Sequence, residues 1–330
     1  MRFNTLIAGA IVGAGLAAAA GSATGTAQAA TKFTLGTSNT PKMMSVQAMQ
    51  HWADAMRKRT GGELDMQIIS GGALGGDKQL LQQLGTNEIQ LHVAGPVVVH
   101  HLVKEYQCLE AEFVYKDGEH GLRVWRGPLG QEVSAMLQKK HGIRIVGVGH
   151  RGARHITSNV PIAKPDDLKG VKIRVTNKLR QQVFKAFGAN PVPMSIKELY
   201  GGLQTHTVEA QENPLGTIYG SNFYEVQKYV NLTGHVWSYF VVSANDSFYK
   251  KLSAEHRKVF DEEAAKAIQW MSDEVLKSFS EYEKKLVAKG MKVVHPDVPA
   301  FQKVAQPIVK AFAEKSCRAG LLDDIAKQAN

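Results

Sequence analysis

Between residues 32 and 94 the chain switches its hydrophobic period again and again, and this switching most limits its fold. Residues 32–36 alternate with a period of two, as one face of a strand requires. After Thr40-Pro41 the apolar residues Val46, Met49, Trp52, Ala53 and Met56 recur at helical spacing and stop at Gly61-Gly62. Residues 64–69 read as the next strand. The Gly-rich turn 71–76 then leads into a helix through Leu80, Leu81 and Leu84, and 89–94 form a third strand. Strand, helix, strand, helix, strand predicts an α/β domain with a mainly parallel sheet, because parallel neighbours need a crossover between them.

The alternation returns downstream. Residues 131–140 read as a helix, 142–148 as a strand, 178–187 as a helix and 204–210 as a short helix-to-strand transition, which predicts a second α/β lobe. A chain of 330 residues that is 44% hydrophobic has room for two such units. No fixed-period repeat is present, so solenoids and propellers are excluded. The longest signal runs from the N-cap candidate Ser253 to Gly290, with Phe260, Ala264, Ala267, Ile268, Met271, Val275, Phe279, Tyr282 and Leu286 on one stripe. One helix of that length would be about 55 Å long, more than a single lobe needs, and is expected to span both lobes. Coiled-coil dimerisation competes with this reading, but the Ala and aromatic content of the stripe suits packing on a globular body better.

Met1-Arg2, the apolar run 6–20 and the small residues ending at Ala29 form a secretory signal peptide. The run is shorter than the roughly 20 residues that span a bilayer, so the protein is expected to be exported, cleaved near Ala29 and periplasmic. The formal net charge of +10 falls by one with the leader, which carries only Arg2. Basic residues are scattered or paired rather than massed, which argues against nucleic acid and leaves a favourable field for a small anion. Cys108 and Cys317 could close one disulfide across a long loop, and the sequence leaves this open.

Several chemistries fail on spacing. The glycines at 71–76 lack a phosphate-loop ending, the twelve His include no H-E-x-x-H or His/Cys cluster, and there is no G-x-S-x-G. No metal and no cofactor are expected, and no catalytic residue is assigned. The informative stretch is 149–237. There Arg174 sits in the strand pattern Val171, Ile173, Val175, on the face that carries Lys172 rather than the apolar one. Two guanidinium groups and an amide converging on a cleft would suit a carboxylate, since Arg offers a planar fork.

The ordered motifs "ALGGDKQLLQQL", "GARHITSN", "DLKGVKIRV", "PVPMSIKELYGGLQTHTVEAQENPL" and "FYEVQKYVNLTGH", followed by the long helix, cover essentially the whole mature chain. In this order they resemble the solute-binding receptors of tripartite ATP-independent periplasmic (TRAP) transporters, of the DctP type and nearest the sialic-acid branch. The resemblance implies an α/β, two-lobed periplasmic solute-binding fold, with a long helix spanning both lobes and a ligand cleft between them. Lobe I would comprise 30–151 plus about 240–279, and lobe II about 152–239 plus 280–330. The expected function is a monomeric, non-enzymatic receptor that takes a small organic acid and delivers it to the transporter's membrane subunits.

The resemblance also places site residues. The ligand-carboxylate arginine falls on Arg174, the second cleft arginine on Arg154 and the cleft amide on Asn213. Asp77, Asn177, Lys178, Ile196, Ser38 and Asn39 match other cleft positions. Gly95 and Val98 stand where the sialic-acid branch has a Glu and an Arg, which argues against sialic acid and for a smaller or more apolar acid, with Trp237 either packing on that acid or belonging to the core. Asn213-Pro214 after Glu212 departs from the pattern of the metal-assisted keto-acid receptors. The hinge is expected near 149–154 and 234–241. A secreted enzyme using Glu212 or His150 as base, or a chemosensory receptor of the same fold, are the rival readings.

Overall fold

The computed structural model describes residues 30–329; the expected leader at 1–29 lies outside them. The sheet strands are β1 (Thr31–Gly36), β2 (Leu64–Ile69), β3 (Leu91–Ala94), β4 (Ile143–Ser158), β5 (Lys172–Val175), β6 (Asn190–Pro193), β7 (Ala210–Pro214), β8 (Tyr229–Asn245) and β9 (Lys292–Val294). Their order is β2-β1-β3-β8-β4-β7-β5-β6, with β9 beside β8. β1 is parallel to β2 and β3, and β5 is parallel to β6 and β7. Between these halves β4 and β8 run antiparallel to each other, β8 giving its C-terminal part to β3 and β4 its C-terminal part to β7. The result is the two-lobed α/β fold expected, with one strand pair passing through both lobes.

Each half buries its own helices. On the first, Trp52 in the helix Met44–Arg59 packs edge-on to Phe260 at 4.7 Å between centroids, and its indole N–H donates to the Phe260 carbonyl at 3.1 Å. On the second, Phe301 of the helix Val298–Ser316 meets Phe187 at 5.0 Å. Cys317 at the end of that helix is bonded to Cys108, which settles the pairing that the sequence leaves open. No helix of the described residues is long and apolar enough to cross a membrane.

Two expectations need correction. The single beam from Ser253 to Gly290 is two helices, Ala254–Lys277 and Phe279–Ala288, meeting at Ser278. The Ser278 hydroxyl donates back to the Val275 carbonyl at 3.2 Å, and such back-bonding competes with the helical ladder and bends it. The strand expected at 142–148 is only the first part of the 16-residue β4. Register shifts between Ile145 and Gly147, His150 and Gly152, and Arg154 and Ile156 break the period of two along it. Gly152 adopts φ 97°, a backbone region that a side chain disfavours, at the middle shift.

Candidate ligand cleft

In open parallel sheets ligands gather at the carboxyl ends of strands. Both halves of this sheet present those ends to one cleft of about 1040 Å³. From the first half come Ser38 and Asn39 beyond β1, Asp77 beyond β2 and Gly95 beyond β3; from the second come Arg174 on β5, Ile196 beyond β6 and Asn213 on β7. Arg154, on β4, completes the wall. Eight of the residues expected at the site therefore line one space.

Arg174 is only 4% exposed, although it shares a strand face with exposed Lys172. It lies nearer the end of β5, where the segment following β6 covers it: its Nε donates to the Met194 carbonyl at 2.9 Å. Its Nη1 is buried and has no partner. Burial pulls the guanidinium down to about 10, with Glu212 acting in the opposite sense. A fixed, half-satisfied fork of this kind is suited to a carboxylate.

Arg154, also at the cleft, is in a different state. Its Nε donates to Glu212 Oε2 at 2.5 Å, and its Nη2 donates to Oε1 at 2.9 Å and to the Glu212 carbonyl at 2.6 Å. Glu212 also lies 3.6 Å from Arg180 Nη1 and 3.3 Å from His235 Nε2. Burial alone would raise the Glu212 carboxyl, but Arg154 and Arg180 outweigh it and hold the group well below the usual range. Arg180 is in turn paired with Glu112 at 3.0 Å. Asn213 is likewise engaged, its Nδ2 donating to Gln211 Oε1 at 2.7 Å.

Three expected residues do not line the cleft. Asn177 caps the helix Lys178–Ala186, accepting from the Arg180 backbone N–H at 2.8 Å, because an Asn before a helix finds its nearest donors in the first turn. Lys178, the first residue of that helix, is exposed to solvent. Trp237 lies against Gly118, where a Cβ would come within 3.0 Å of the indole, and packs on the core. Val98 is buried in the core.

The structure adds lining residues that the sequence reading missed. Glu110 is 2% exposed, accepts from Ser238 Oγ at 2.7 Å and lies 3.3 Å from His100 Nε2. Burial would raise its carboxyl, yet the bond from His100 holds it down at about 2. Arg151 also faces the cleft; its sequence signal was its place in "GHRGARH", three residues before Arg154. Among the described residues no group of three His, Cys, Asp or Glu side chains is placed to hold a metal ion.

A cleft lined by desolvated arginines at the ends of two parallel half-sheets agrees with what known proteins share with this chain. The family model for bacterial extracellular solute-binding proteins, family 7 (DctP), matches residues 35–316. The chain belongs to this family. It is 31% identical over 296 residues to the sialic acid-binding periplasmic protein SiaP of Vibrio cholerae, covering 88% of this chain and 91% of the relative. The sugar acid-binding protein DctPAm of Advenella mimigardefordensis, solved with galactonate, superposes with a TM-score of 0.87 at 28% identity, covering 91% of this chain and 98% of that one. A TRAP solute-binding protein of a Polaromonas species, solved with D-erythronate, gives 0.84 at 30% identity, with the same coverage. As a DctP-family protein, the chain is a solute receptor of the TRAP type.

Proposed function

We propose that this DctP-family receptor captures a small organic acid between its lobes and passes it to TRAP membrane subunits. The observation that carries the reading is Arg174, buried at the cleft with Nε fixed by Met194 and Nη1 left without a partner. A ligand carboxylate supplies the missing acceptor, and lobe closure strengthens the contact by excluding water. Relatives solved with galactonate and erythronate support an acid of this size. Arg154, held by Glu212 through Nε and Nη2, stands at the cleft wall and completes the ring of cleft residues with Asn213. Asn213, Asp77, Ser38, Asn39, Gly95 and Ile196 shape the remaining contacts.

The lobes divide at 30–151 plus about 240–279 and 152–239 plus 280–330, a division supported by the bulge at Gly152 and the helix break at Ser278. The protein is exported, cleaved near Ala29, monomeric, and binds without catalysis, metal or cofactor. Calorimetry of the mature protein against aldonates, dicarboxylates and keto acids tests the reading. Arg174→Lys should weaken the best acid by roughly 10- to 100-fold, since one charge-assisted bond contributes about 1.5–3 kcal/mol and a point charge does not replace a fork. Unchanged affinity in Arg174→Lys and Arg174→Ala would overturn the assignment, and turnover of a bound acid would establish an enzyme instead.

A further inference from the structure

Arg151 is a second guanidinium at the cleft, and its state differs from those of its neighbours. Arg154 and Arg180 each lie against Glu212, whereas among the described residues no carboxylate lies within ion-pair distance of Arg151. Its Nη2 makes only long contacts to neutral acceptors, 3.4 Å to Asn213 Oδ1 and 3.3 Å to Thr217 Oγ1. Its Nε is buried without a partner, although the residue as a whole keeps some exposure. The Phe240 ring lies 5.5 Å beneath the guanidinium and gives it an apolar platform. Burial and the neighbouring Arg154 together pull it down to about 9, as expected of a cation with too little negative charge around it.

The space that Arg151 occupies depends on one residue of the opposite strand end. A Cβ at Gly95 would lie 2.6 Å from Arg151 Nη1, so any side chain there would push the guanidinium from its seat. The two carboxylates on this wall do not answer it. Asp77 accepts from Ser38 Oγ at 2.5 Å and lies 3.8 Å from His92 Nε2, while Glu110 is engaged by Ser238 and His100.

Resting on the carboxylate reading of the cleft, we infer that Gly95 and Arg151 form a second anion subsite, so that the preferred ligand carries an acidic group at each end. Arg174 on β5 takes one group and Arg151 on β4, beside the end of β3, takes the other. The hydroxyls of a polyhydroxy diacid would then face the polar wall between them, where Asn39 and Asp77 stand. Such a ligand ties the two lobes together through its two ends, and a monoacid of equal length cannot.

Matched acid pairs differing only at the far terminus test this by calorimetry on the mature protein: galactonate with galactarate, erythronate with meso-tartrate, and butyrate with succinate. In at least one pair the diacid should bind about tenfold or more tightly than its monoacid, the gain of one added charge-assisted contact. Arg151→Gln should bring that ratio to within about threefold, and Gly95→Ala should do the same by displacing the unchanged arginine. Should Arg151→Gln not fold, Gly95→Ala still decides the matter. A ratio near one in every pair, or a diacid preference that survives these variants, overturns the subsite while leaving the carboxylate reading intact. Failure of all six acids to bind overturns both.

Discussion

Glu212→Gln changes almost no shape and deletes one charge from the most buried ionic group beside the cleft. Glu212 is fully buried and accepts two bonds from the Arg154 side chain, while Arg180 keeps a second carboxylate, Glu112, at 3.0 Å. Arg154 has no such reserve, so the variant leaves it buried and uncompensated. Breaking a buried pair from one side costs about 3–5 kcal/mol. At about 2–3 °C per kcal/mol for a chain of this size, the melting temperature should fall by roughly 6–15 °C. The pH dependence has a definite sign. The folded carboxyl lies below its ordinary value, so its stabilisation is complete above the unfolded value of about 4.3 and is lost as pH falls below that. Burial also keeps His235 below its ordinary value despite its bond to Glu212, which adds no titration between pH 7 and 8. Calorimetric melts of both proteins from pH 8 to 3 should therefore show a constant gap from pH 8 to 7 and a gap that narrows below about 4.5 as Glu212 takes up its proton. Arg154→Met with Glu212→Leu, which removes both ions, should recover much of the loss. A gap worth under about 1 kcal/mol at pH 7, or one that closes between pH 8 and 6, would refute the argument.

Two further predictions concern stability. Cys317→Ser opens a loop of 209 residues, which in the chain-entropy account removes up to about 5 kcal/mol; urea unfolding should show a large loss, matched by reductant on the unaltered protein, and a loss under about 1 kcal/mol would contradict a structural role. Gly130→Ala places a Cβ 1.8 Å from the Trp125 carbonyl oxygen, a contact that forces the backbone to shift, so the same assay should record a loss of about 1–3 kcal/mol, and a neutral result would contradict the packing there.

The first lobe was legible in the sequence because its signals are local. The helices and strands of 31–94 each show a clean period over their own residues, and the structure places them within a few positions of the expectation. β4 and β8 were not legible as long strands. Their middle segments pass between the lobes, carry polar residues on the cleft side and shift register, so neither face keeps a period of two. The break at Ser278 left no Pro or Gly to mark it. Within the site, Arg174 was found through its motif, whereas the states of Arg151 and Arg154 depend on where Glu212 lies, some sixty residues further along. Asn177 caps a helix, a role that motif position does not disclose, and of the two roles left open for Trp237 the structure shows packing against the core.

The same distribution of charge bears on how the receptor couples binding to closure. A ligand shifts an equilibrium between open and closed forms only by its difference in affinity for the two. Moving the population from about 1:99 to 99:1 takes about 5.5 kcal/mol. Arg154 and Arg180, paired within the protein, contribute the same in either form and cannot supply that difference. Arg174 can, because its Nη1 is buried without a protein partner and gains an acceptor only when an acid is present. At about 1.5–3 kcal/mol for each bond to a charged group, one bond at Arg174 falls short, and two to four such bonds are needed. A ligand that engages Arg174 from one lobe and Arg151 from the other makes at least two such bonds, so the two arginines left without a protein carboxylate are the ones through which an acid can hold the lobes shut.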